Sequence, residues 1–294
     1  MQSFTIIGPG RMGGALAIAL NRAGYRIDAL IDRKGKSLPK LTRYISPRPK
    51  ILSIENLERI DSEAVLITTP DRHIVDVSLR IAGLLSPENK FIFHTSGSLS
   101  SIILEPFSEL GHSIGSIHPL VSVSSPTVGA RNFAGAYFCI EGDADAVEVG
   151  TRIVERLHGR PFSLKTESKP LYHLAAVLAA GHLVALADVA FSLMARTGLG
   201  IEKARTILIP LIKSTVANLE SQQTVEALTG PIARGDLTVL ERHIEVLSRV
   251  ASRNECDVYL DLALRSIEMV ELANTGLELT ELRNLILLAK QNTK

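Results

Sequence analysis

The stretch that decides the fold is the hexapeptide Gly8-Pro9-Gly10-Arg11-Met12-Gly13. It follows an apolar strand pattern, Phe4–Ile7, and leads directly into an alanine-rich helix pattern, Met12–Ala23. In such a strand–turn–helix unit, the first glycine permits a tight turn, the second lets backbone N–H groups approach a pyrophosphate, and the third lets the helix pack closely on the strand. The helix N-terminus adds a partial positive charge toward the phosphates. The hexapeptide therefore predicts a dinucleotide-binding turn, with a merely tight strand–helix connection as the alternative.

Charged residues after the second strand pattern, Arg26–Ile31, bear on which dinucleotide is bound. Asp32 lies 19 residues after Gly13, where an acidic side chain would bind the ribose hydroxyls of NAD. Arg33 and Lys34 follow at once and are suited to hold the 2′-phosphate of NADP. The two signals conflict. The basic pair favours NADP, and NAD is the alternative. A third interpretation is that these charged residues only form a solvated turn and bind no cofactor.

Polar residues end two later strand patterns as well. Thr69 and Pro70 follow one of them, and the segment His94-Thr95-Ser96 closes the next. Ligands of open parallel sheets bind outside the carboxyl ends of the strands, so we expect these residues to lie near the cofactor. Ser96 has an equally good structural interpretation, because the segment Ser96-Gly97-Ser98 is also typical of a helix N-cap.

Short apolar runs alternate with helix patterns in residues 1–164. This alternation predicts an α/β Rossmann-like domain with a doubly wound parallel sheet, and the apolar runs fit strands that are buried on both faces. The strand patterns are Phe4–Ile7, Arg26–Ile31, Ala64–Thr68, Lys90–His94, Ser113–Ile117 and Ala136–Ile140. The helix patterns are Met12–Ala23, Arg72–Leu84, Ser100–Glu109 and Ala144–Leu157, and the segment Val121–Phe133 is a long loop.

Residues 165–294 predict an all-α second domain for substrate binding and dimerisation. Its helix patterns are Glu167–Arg196, Ile201–Leu219, Thr224–Thr229, Leu237–Arg253, Asp257–Thr275 and Thr280–Gln291. The first pattern is apolar nearly all round, which predicts a central helix wrapped by the others. The apolar stretch Leu171–Met194 is long enough to span a bilayer, but His173, His182 and Asp188 within it argue against a membrane segment.

The composition narrows the class of protein. The 32 basic and 31 acidic residues give a net charge of +1, which provides no basic field for nucleic acid. Cys139 and Cys256 lie far apart in the sequence, as expected for buried thiols in the reducing cytoplasm. Because His, Cys, Asp and Glu residues form no cluster with ligand spacing, the sequence predicts no metal site.

The catalytic candidates are two histidines and Ser96. His118 ends a strand pattern on the expected cofactor side, and His173 lies near the start of the predicted central helix. Histidine can act as a general acid near neutral pH. The structural alternatives are a strand-end cap for His118 and a core histidine for His173.

Candidate substrate-binding residues lie in the helical part. The loop after Leu228 places Thr229, Arg234 and Asp236 within eight residues, and Asn218 lies on the preceding helix pattern. Arg234 is suited to hold a substrate carboxylate, and Asp236 to fix that arginine or to cap the next helix. The alternative is a capped turn between two helices.

Several segments together resemble a bacterial family of two-domain Rossmann-like oxidoreductases whose helical half is a domain of unknown function. These segments are GPGRMGGALAIAL (8–20), HTSGSLS (94–100), GSIHPLVS (115–122), FAGAYFCIEGD (133–143), YHLAAVLAAGHLVAL (172–186) and ALTGPIARGD (227–236). The family is similar in layout to ketopantoate reductase, pyrroline-5-carboxylate reductase and 3-hydroxyisobutyrate dehydrogenase. The resemblance implies a dinucleotide-binding half, a helical half that dimerises, and a substrate between the halves.

The resemblance also shows where this sequence departs from its relatives. Ketopantoate reductases use a lysine on the first helix of the second domain and an asparagine two turns later. Matching the segment GHLVAL places His173 at the lysine position and Gly181 at the asparagine position. The sequence therefore lacks both groups, and a histidine is left as the candidate acid.

We expect an NADP-dependent reductase in the cytoplasm that acts on a small anionic carbonyl compound such as a 2-keto acid, as a homodimer and without nucleic acid or membrane partners. One alternative is a cofactor-binding sensor or partner module without turnover. Another is an imine reductase of the pyrroline-5-carboxylate type, which needs little acid chemistry from side chains because its imine can arrive protonated.

Overall fold

A computed structural model describes residues 2–32, 38, 40–85, 89–273 and 276–292. The chain divides into two compact units, residues 1–180 and 181–294. The division lies within a long helix, whereas the change of sequence pattern predicts a boundary between residues 164 and 165. The intervening residues pack with the first unit, and the domain boundary at 164/165 stays a prediction.

The first unit is built on a sheet of eight strands. They are β1 (Ser3–Ile7), β2 (Arg26–Asp32), β3 (Lys50–Ser53), β4 (Ala64–Ile67), β5 (Phe91–His94), β6 (Ser113–Pro119), β7 (Tyr137–Gly142) and β8 (Arg160–Phe162). Their order in the sheet is β3-β2-β1-β4-β5-β6-β7-β8. The direction of winding reverses between β1 and β4, which opens a crevice at the carboxyl ends of these two strands.

The expectation of a fully parallel sheet is wrong for one pair, because β7 runs antiparallel to β6. The connection between them contains the short helix α4 (Pro126–Asn132), which packs on α1 (Arg11–Arg22). This helix does not carry the chain back along the sheet. The chain therefore enters β7 at the edge where it leaves β6, and Pro119 pairs with Phe138.

Helices cover both faces of the sheet, which confirms the doubly wound Rossmann-like class. They are α1, α2 (Ile74–Ile81), α3 (Glu105–Ser108), α4 and α5 (Ala144–Arg156). Alternate residues of a strand point to opposite faces. In β4, Leu66 joins one apolar core with α1 and α5, while Val65 joins a second core with α2 and α3. Both side chains are almost fully buried, as the apolar strand patterns predict.

Three local predictions are corrected. β3 and β8 are absent from the predicted strands, because each is short and begins with a basic residue at the edge of the sheet. The predicted loop Val121–Phe133 contains α4, whose first turn is capped by the Ser125 hydroxyl accepting from the N–H of Val128. The predicted helix Thr224–Thr229 is wrong, since only residues 224–227 form a turn, and the segment contains no full apolar repeat to bury.

The second unit is helical, as predicted. Its helices are α7 (Leu183–Met194), α8 (Ile201–Ser221), α9 (Leu237–Val250), α10 (Arg253–Leu272) and α11 (Thr280–Asn292). Its core packs aliphatic side chains of α9, α10 and α11, with Leu240, Ile267 and Ile286 fully buried. A capping box at Ser252 and Glu255 fixes the start of α10.

One helical run, Thr166–Leu199, links the two units. It comprises α6 (Lys169–Val177), a π-helical turn (Leu178–His182), α7 and a second π-helical turn (Ala195–Leu199). The predicted central, wrapped helix is wrong for the single chain, since its apolar side chains are largely exposed, with Leu171 at 70% and Val184 at 71%. By length and composition alone the run is also apolar enough to cross a membrane. A single helix that meets these two criteria is weak evidence for a membrane span.

Candidate active site

The glycine turn after β1 has the geometry that the hexapeptide predicts. Gly8 adopts a φ of +83° and donates its N–H to the carbonyl of Ile31 at 2.8 Å. A Cβ at Gly8 would stand 2.7 Å from the methyl of Thr69, and one at Gly13 would stand 2.1 Å from the hydroxyl of Thr68. A Cβ at Gly10, in contrast, would meet only the carbonyl oxygen of Gly8, at 3.9 Å. The turn is therefore closed on its inner side and open where a ligand would approach.

A cavity of about 830 Å³ extends from this turn along the carboxyl ends of the strands. Of the site residues that the sequence predicts, those that line it are Gly8, Gly10, Arg11, Met12, Asp32, Thr69, Pro70, Thr95 and His118. The hydroxyl of Thr69 is buried and has no hydrogen-bond partner among the described residues. An unsatisfied polar atom on a cavity wall is expected where a ligand supplies the partner.

Other predicted cofactor residues lie outside this cavity wall. Gly13 packs against Thr68, and Pro9 lines a neighbouring cavity of about 390 Å³. Arg33 and Lys34 lie outside the described residues.

His94, at the end of β5, is a buried structural residue. Its Nδ1 accepts the N–H of Ser96 at 3.1 Å, so its Nε2 carries the proton and donates to the carbonyl of Ser100 at 3.2 Å. Burial, reinforced by the positive charge of Lys169, lowers the pKa of His94 to about 4. The neutral imidazole thus holds the loop that follows β5 in place.

Ser96 is buried, and its hydroxyl forms hydrogen bonds within its own loop and to the segment after β4. The hydroxyl donates to the carboxylate of Asp71 at 2.7 Å and accepts the N–H of Leu99 at 3.0 Å. Ser98 donates to the same carboxylate oxygen at 2.9 Å. The N-cap alternative is wrong for Ser96, because the helical turn that follows begins at Ser101 and is capped by Ser100. The Ser96 hydroxyl instead joins its loop to Asp71 after β4.

Three rings meet where the loop after β5 passes β6 and α6. Nδ1 of His118 lies 2.7 Å from the hydroxyl of Tyr172, and the centroids of the His118 and His173 rings are 6.0 Å apart. Gly97 fits between the imidazoles, since a Cβ there would stand 2.6 Å from His173 and 2.7 Å from His118. The structure therefore brings together His118 and His173, which lie 55 residues apart in sequence.

The proton affinities of two of these rings are shifted. Burial, together with the nearby His173 and Lys169, lowers the pKa of His118 to about 4, so its imidazole is neutral at neutral pH. Burial raises the pKa of the Tyr172 hydroxyl well above its usual range. At neutral pH the pair therefore consists of a phenol and a neutral imidazole, which share one hydrogen bond.

A buried ion pair lies below the rings. The Nζ of Lys169 is 2.9 Å from Oε1 of Glu141, and both side chains are almost fully buried. Burial alone would raise the pKa of Glu141, but the adjacent ammonium and two hydrogen bonds from Ser101 bring it below its usual range. Sequence reasoning missed Glu141 and gave Lys169 no role, although the spacing of Lys169, Tyr172 and His173 places them on one face of a helix.

The predicted substrate residues belong to the second unit and are described within it. Asp236 caps α9 by accepting the N–H of Val239 at 3.2 Å, which matches the capping alternative. Thr229 lines an apolar cavity of about 320 Å³, and the side chain of Arg234 is exposed. Asn218 lies near the end of α8. The described residues contain no cluster of three or more His, Cys, Asp or Glu side chains that could hold a metal ion.

The glycine turn, the crevice and the helical second unit define a two-domain protein of the Rossmann-like class. Family models agree, because a Rossmann-like domain matches residues 2–119 and a domain of unknown function, DUF2520, matches residues 136–266. The chain belongs to the proteins that combine these two domains, which confirms the resemblance drawn from its motifs. The DUF2520 match includes β7, α5 and β8 in addition to helical segments.

Solved structures share the fold over nearly the whole chain. A candidate NADP oxidoreductase of Bacteroides fragilis, BF3122, has a TM-score of 0.74 at 21% identity and covers 91% of this chain and 98% of its own. Protein TM1727 of Thermotoga maritima has a TM-score of 0.69 at 24% identity, with coverages of 92% and 99%. The NADP-bound pyrroline carboxylate reductase of Plasmodium falciparum has a TM-score of 0.57 at 14% identity, with coverages of 92% and 100%.

A curated relative is the glycerol-3-phosphate dehydrogenase [NAD(P)+] of Pseudoalteromonas translucida. It is 28% identical over 177 residues, which is 55% of this chain. The chain matches 51% of that enzyme, about half its length.

Gly97→Ala tests the packing of the two imidazoles. Because the new methyl group must displace His118 or His173, we expect the free energy of unfolding to fall by about 1–3 kcal/mol, measured in urea. The matched control is Gly83→Ala, where a Cβ meets nothing within 4 Å. Equal stability of the two variants would contradict the packing.

Stability should depend on the histidines that are buried in the neutral state. The pKa of His118 is about 4 in the folded protein, and its ordinary value of 6.5 applies to the unfolded chain. Between these pH values the unfolded chain therefore binds more protons than the folded protein does. The free energy of unfolding should therefore fall on acidification from pH 6.5 to 4, by on the order of 3 kcal/mol for this group. His118→Phe should flatten the slope, whereas Tyr172→Phe, which keeps the imidazole, should not. Urea denaturation across the pH range measures both, and an unchanged slope in His118→Phe would contradict the shift.

Proposed function

We propose that this chain is an NADP-dependent oxidoreductase that reduces a small carbonyl compound, with NAD as the alternative cofactor. The observation that carries the proposal is the cavity itself. It begins at the open side of the glycine turn, passes the unsatisfied hydroxyl of Thr69, and ends at His118 beside the other two rings. When bound, the reduced dinucleotide supplies a hydride to the substrate carbon.

The wall of the cavity fits a dinucleotide. The backbone at Gly8 and Gly10 and the first turn of α1 offer N–H groups and positive charge to phosphates, and Arg11 adds a guanidinium. Asp32 lines the same cavity at the end of β2, where ribose hydroxyls would be bound. The Thr69 hydroxyl is suited to hydrogen-bond the part of the cofactor nearest β4.

His173 is the proposed proton donor to the substrate oxygen. The shifted pKa values of its neighbours leave it as the ring suited to this task, because His118 is neutral at pH 7 and the Tyr172 phenol holds its proton tightly. His118 instead orients Tyr172 through their hydrogen bond. Ser96 shapes the pocket through its loop and has no separate chemical step.

A small anionic substrate is the second part of the proposal. Arg234 is exposed and carries the fork of N–H donors that binds a carboxylate in two hydrogen bonds, and Asn218, Thr229 and Asp236 complete the proposed substrate set.

An imine substrate is the competing function. A protonated imine needs no strong acid from the protein, and a site with a neutral histidine and a tightly protonated tyrosine offers none from these two groups. Pyrroline carboxylate reductases have the same fold. A panel of 2-keto acids and cyclic imines, followed by oxidation of NADPH, separates the two substrate classes.

Gly10→Ala tests the cofactor site. Its Cβ meets only the Gly8 carbonyl, at 3.9 Å, so the variant should fold while its methyl group blocks a pyrophosphate. We expect NADPH affinity to fall about tenfold or more with an unchanged melting temperature, and Gly83→Ala to bind as the wild type does. Fluorescence titration measures both, and tighter binding of NADH than of NADPH would overturn the choice of cofactor.

Measurement of turnover tests the assignment of His173 as the proton donor. His173→Gln should lower kcat by about 10²–10⁴-fold with an unchanged Kd for NADPH. Full turnover in this variant would remove His173 from the acid role. Tight NADPH binding without turnover of any substrate in the wild type would indicate a cofactor sensor instead of an enzyme.

We also propose that the chain is a cytoplasmic homodimer joined through its helical unit. Helices α7 and α8 expose large apolar side chains, including Val184 at 71%, Leu211 at 61% and Leu219 at 51%. Apolar side chains exposed in such number are typical of an interface between subunits. A second copy of the chain carries the same surfaces and can bury them symmetrically.

Val184→Glu combined with Leu211→Glu should convert the dimer to a monomer, because each introduced carboxylate would be buried without a partner. Sedimentation velocity measures the change. Leu79→Glu, at an equally exposed position of α2, is the control that should remain dimeric. A wild-type chain that sediments as a monomer, or that partitions into lipid vesicles through the helical run, would contradict the proposal.

A further inference from the structure

The buried ammonium group of Lys169 has an acceptor for each of its three N–H donors. Its Nζ lies 2.5 Å from the hydroxyl of Ser116 on β6, 2.9 Å from Glu141 on β7 and 3.2 Å from the carbonyl of Ser96 after β5. The three acceptors come from the loop after β5, from β6 and from β7. An ammonium with all its donors engaged in this way can occupy only one position relative to those segments.

The carboxylate of Glu141 is equally engaged. Besides Lys169, it accepts the N–H and the hydroxyl of Ser101 at 2.9 and 2.8 Å, and the hydroxyl of Thr166 at 3.2 Å. Thr166 stands just before α6, so the carboxylate also holds the segment from which that helix starts.

A second contact parallels the first. Ser116 and His118 are two residues apart on β6 and therefore point to the same face of the sheet. Lys169 and Tyr172 are three residues apart on α6 and share one helix face. The Lys169–Ser116 contact and the Tyr172–His118 contact, at 2.5 and 2.7 Å, thus form two successive links between one strand and one helix. Two links fix both the position of a helix along a strand and its rotation about its own axis.

We infer that Lys169 is a positioning residue, whose ammonium sets the rotation of α6 so that Tyr172 meets His118 and His173 meets Gly97. The inference rests on the proposed function, since the arrangement matters for turnover only if His173 is the proton donor. Lys169 itself is fully buried and its Nζ is enclosed by Ser96, Ser116 and Glu141, whereas His173 is partly exposed. Lys169 therefore acts through the residues one turn further along α6.

Lys169→Met is the test, because it keeps the length of the side chain and removes the three donors. A misplaced acid should lower kcat by about 10²-fold, while the Kd for NADPH stays within about twofold and KM changes little. Lys165→Met removes the same charge from an exposed position four residues earlier and should retain full turnover.

A second variant distinguishes positioning of α6 from a purely structural role of Lys169. Lys169→Met leaves the Glu141 carboxylate buried without its counter-charge, which destabilises the fold. Lys169→Met combined with Glu141→Gln removes that unpaired charge and should recover the melting temperature. If Lys169 positions α6, kcat stays low in the double variant. Recovery of wild-type kcat together with stability would overturn the inference.

A measurement without turnover separates this inference from the proposed function. Nuclear Overhauser contacts between the rings of His118 and Tyr172 should be present in the wild type and in Lys165→Met, and lost in the double variant. Contacts retained in the double variant would overturn the positioning role. If the wild type has no turnover with any substrate, the proposed function fails, and these contacts still decide whether Lys169 positions α6.

Discussion

An ammonium ion buried in a protein destabilises the fold by several kcal/mol unless its charge is balanced and each of its donors is engaged. Lys169 meets that requirement with acceptors that come from the segments after β5, in β6 and in β7. The position of Lys169 depends on these acceptors. The start of α6 in turn requires that the strands and the loop after β5 bring the acceptors together at one point. The loop after β5, the antiparallel strand β7 and the first turn of α6 are thereby determined together. The ring cluster above the ion pair inherits its geometry from them.

The winding of the sheet places a second constraint on the site. Strand order reverses between β1 and β4, so the connections after these strands diverge and leave a crevice that neither connection fills. The glycine turn borders this crevice on one side and Thr69 on the other. The cavity extends from there toward β5 and β6, where Thr95 and His118 end it. The residues proposed to hold the cofactor and His118 of the ring cluster therefore follow one another along the same edge of the sheet.

Sequence was informative where a local conformation demands particular residues. The turn at Gly8 needs a positive φ, and His118 could be placed because parallel strands end at a common edge. The ion pair could not be found in this way, because Glu141 follows a strand pattern and Lys169 lies 28 residues later in a helix pattern, and no local signal pairs the two. The pattern Glu167–Arg196 predicts a buried central helix, whereas the observed run Thr166–Leu199 is largely exposed, since an apolar pattern shows that a surface must be covered but does not reveal by what. NADP and NAD could not be separated, because Asp32 and the basic pair after it point to different cofactors.

The π-helical turn Leu178–His182 has a consequence for how this chain is aligned with its relatives. An i→i+5 turn accommodates one residue more than an α-helical turn, and each residue of a helix accounts for about 100° of rotation. Helical faces counted at 3.6 residues per turn therefore lose their phase on passing residues 178–182. The match that places His173 at the lysine position and Gly181 at the asparagine position counts two regular turns, and it ends inside this π-helical turn. Residue roles taken from related enzymes must accordingly be transferred separately before and after this π-helical turn, with a separate alignment register for each side.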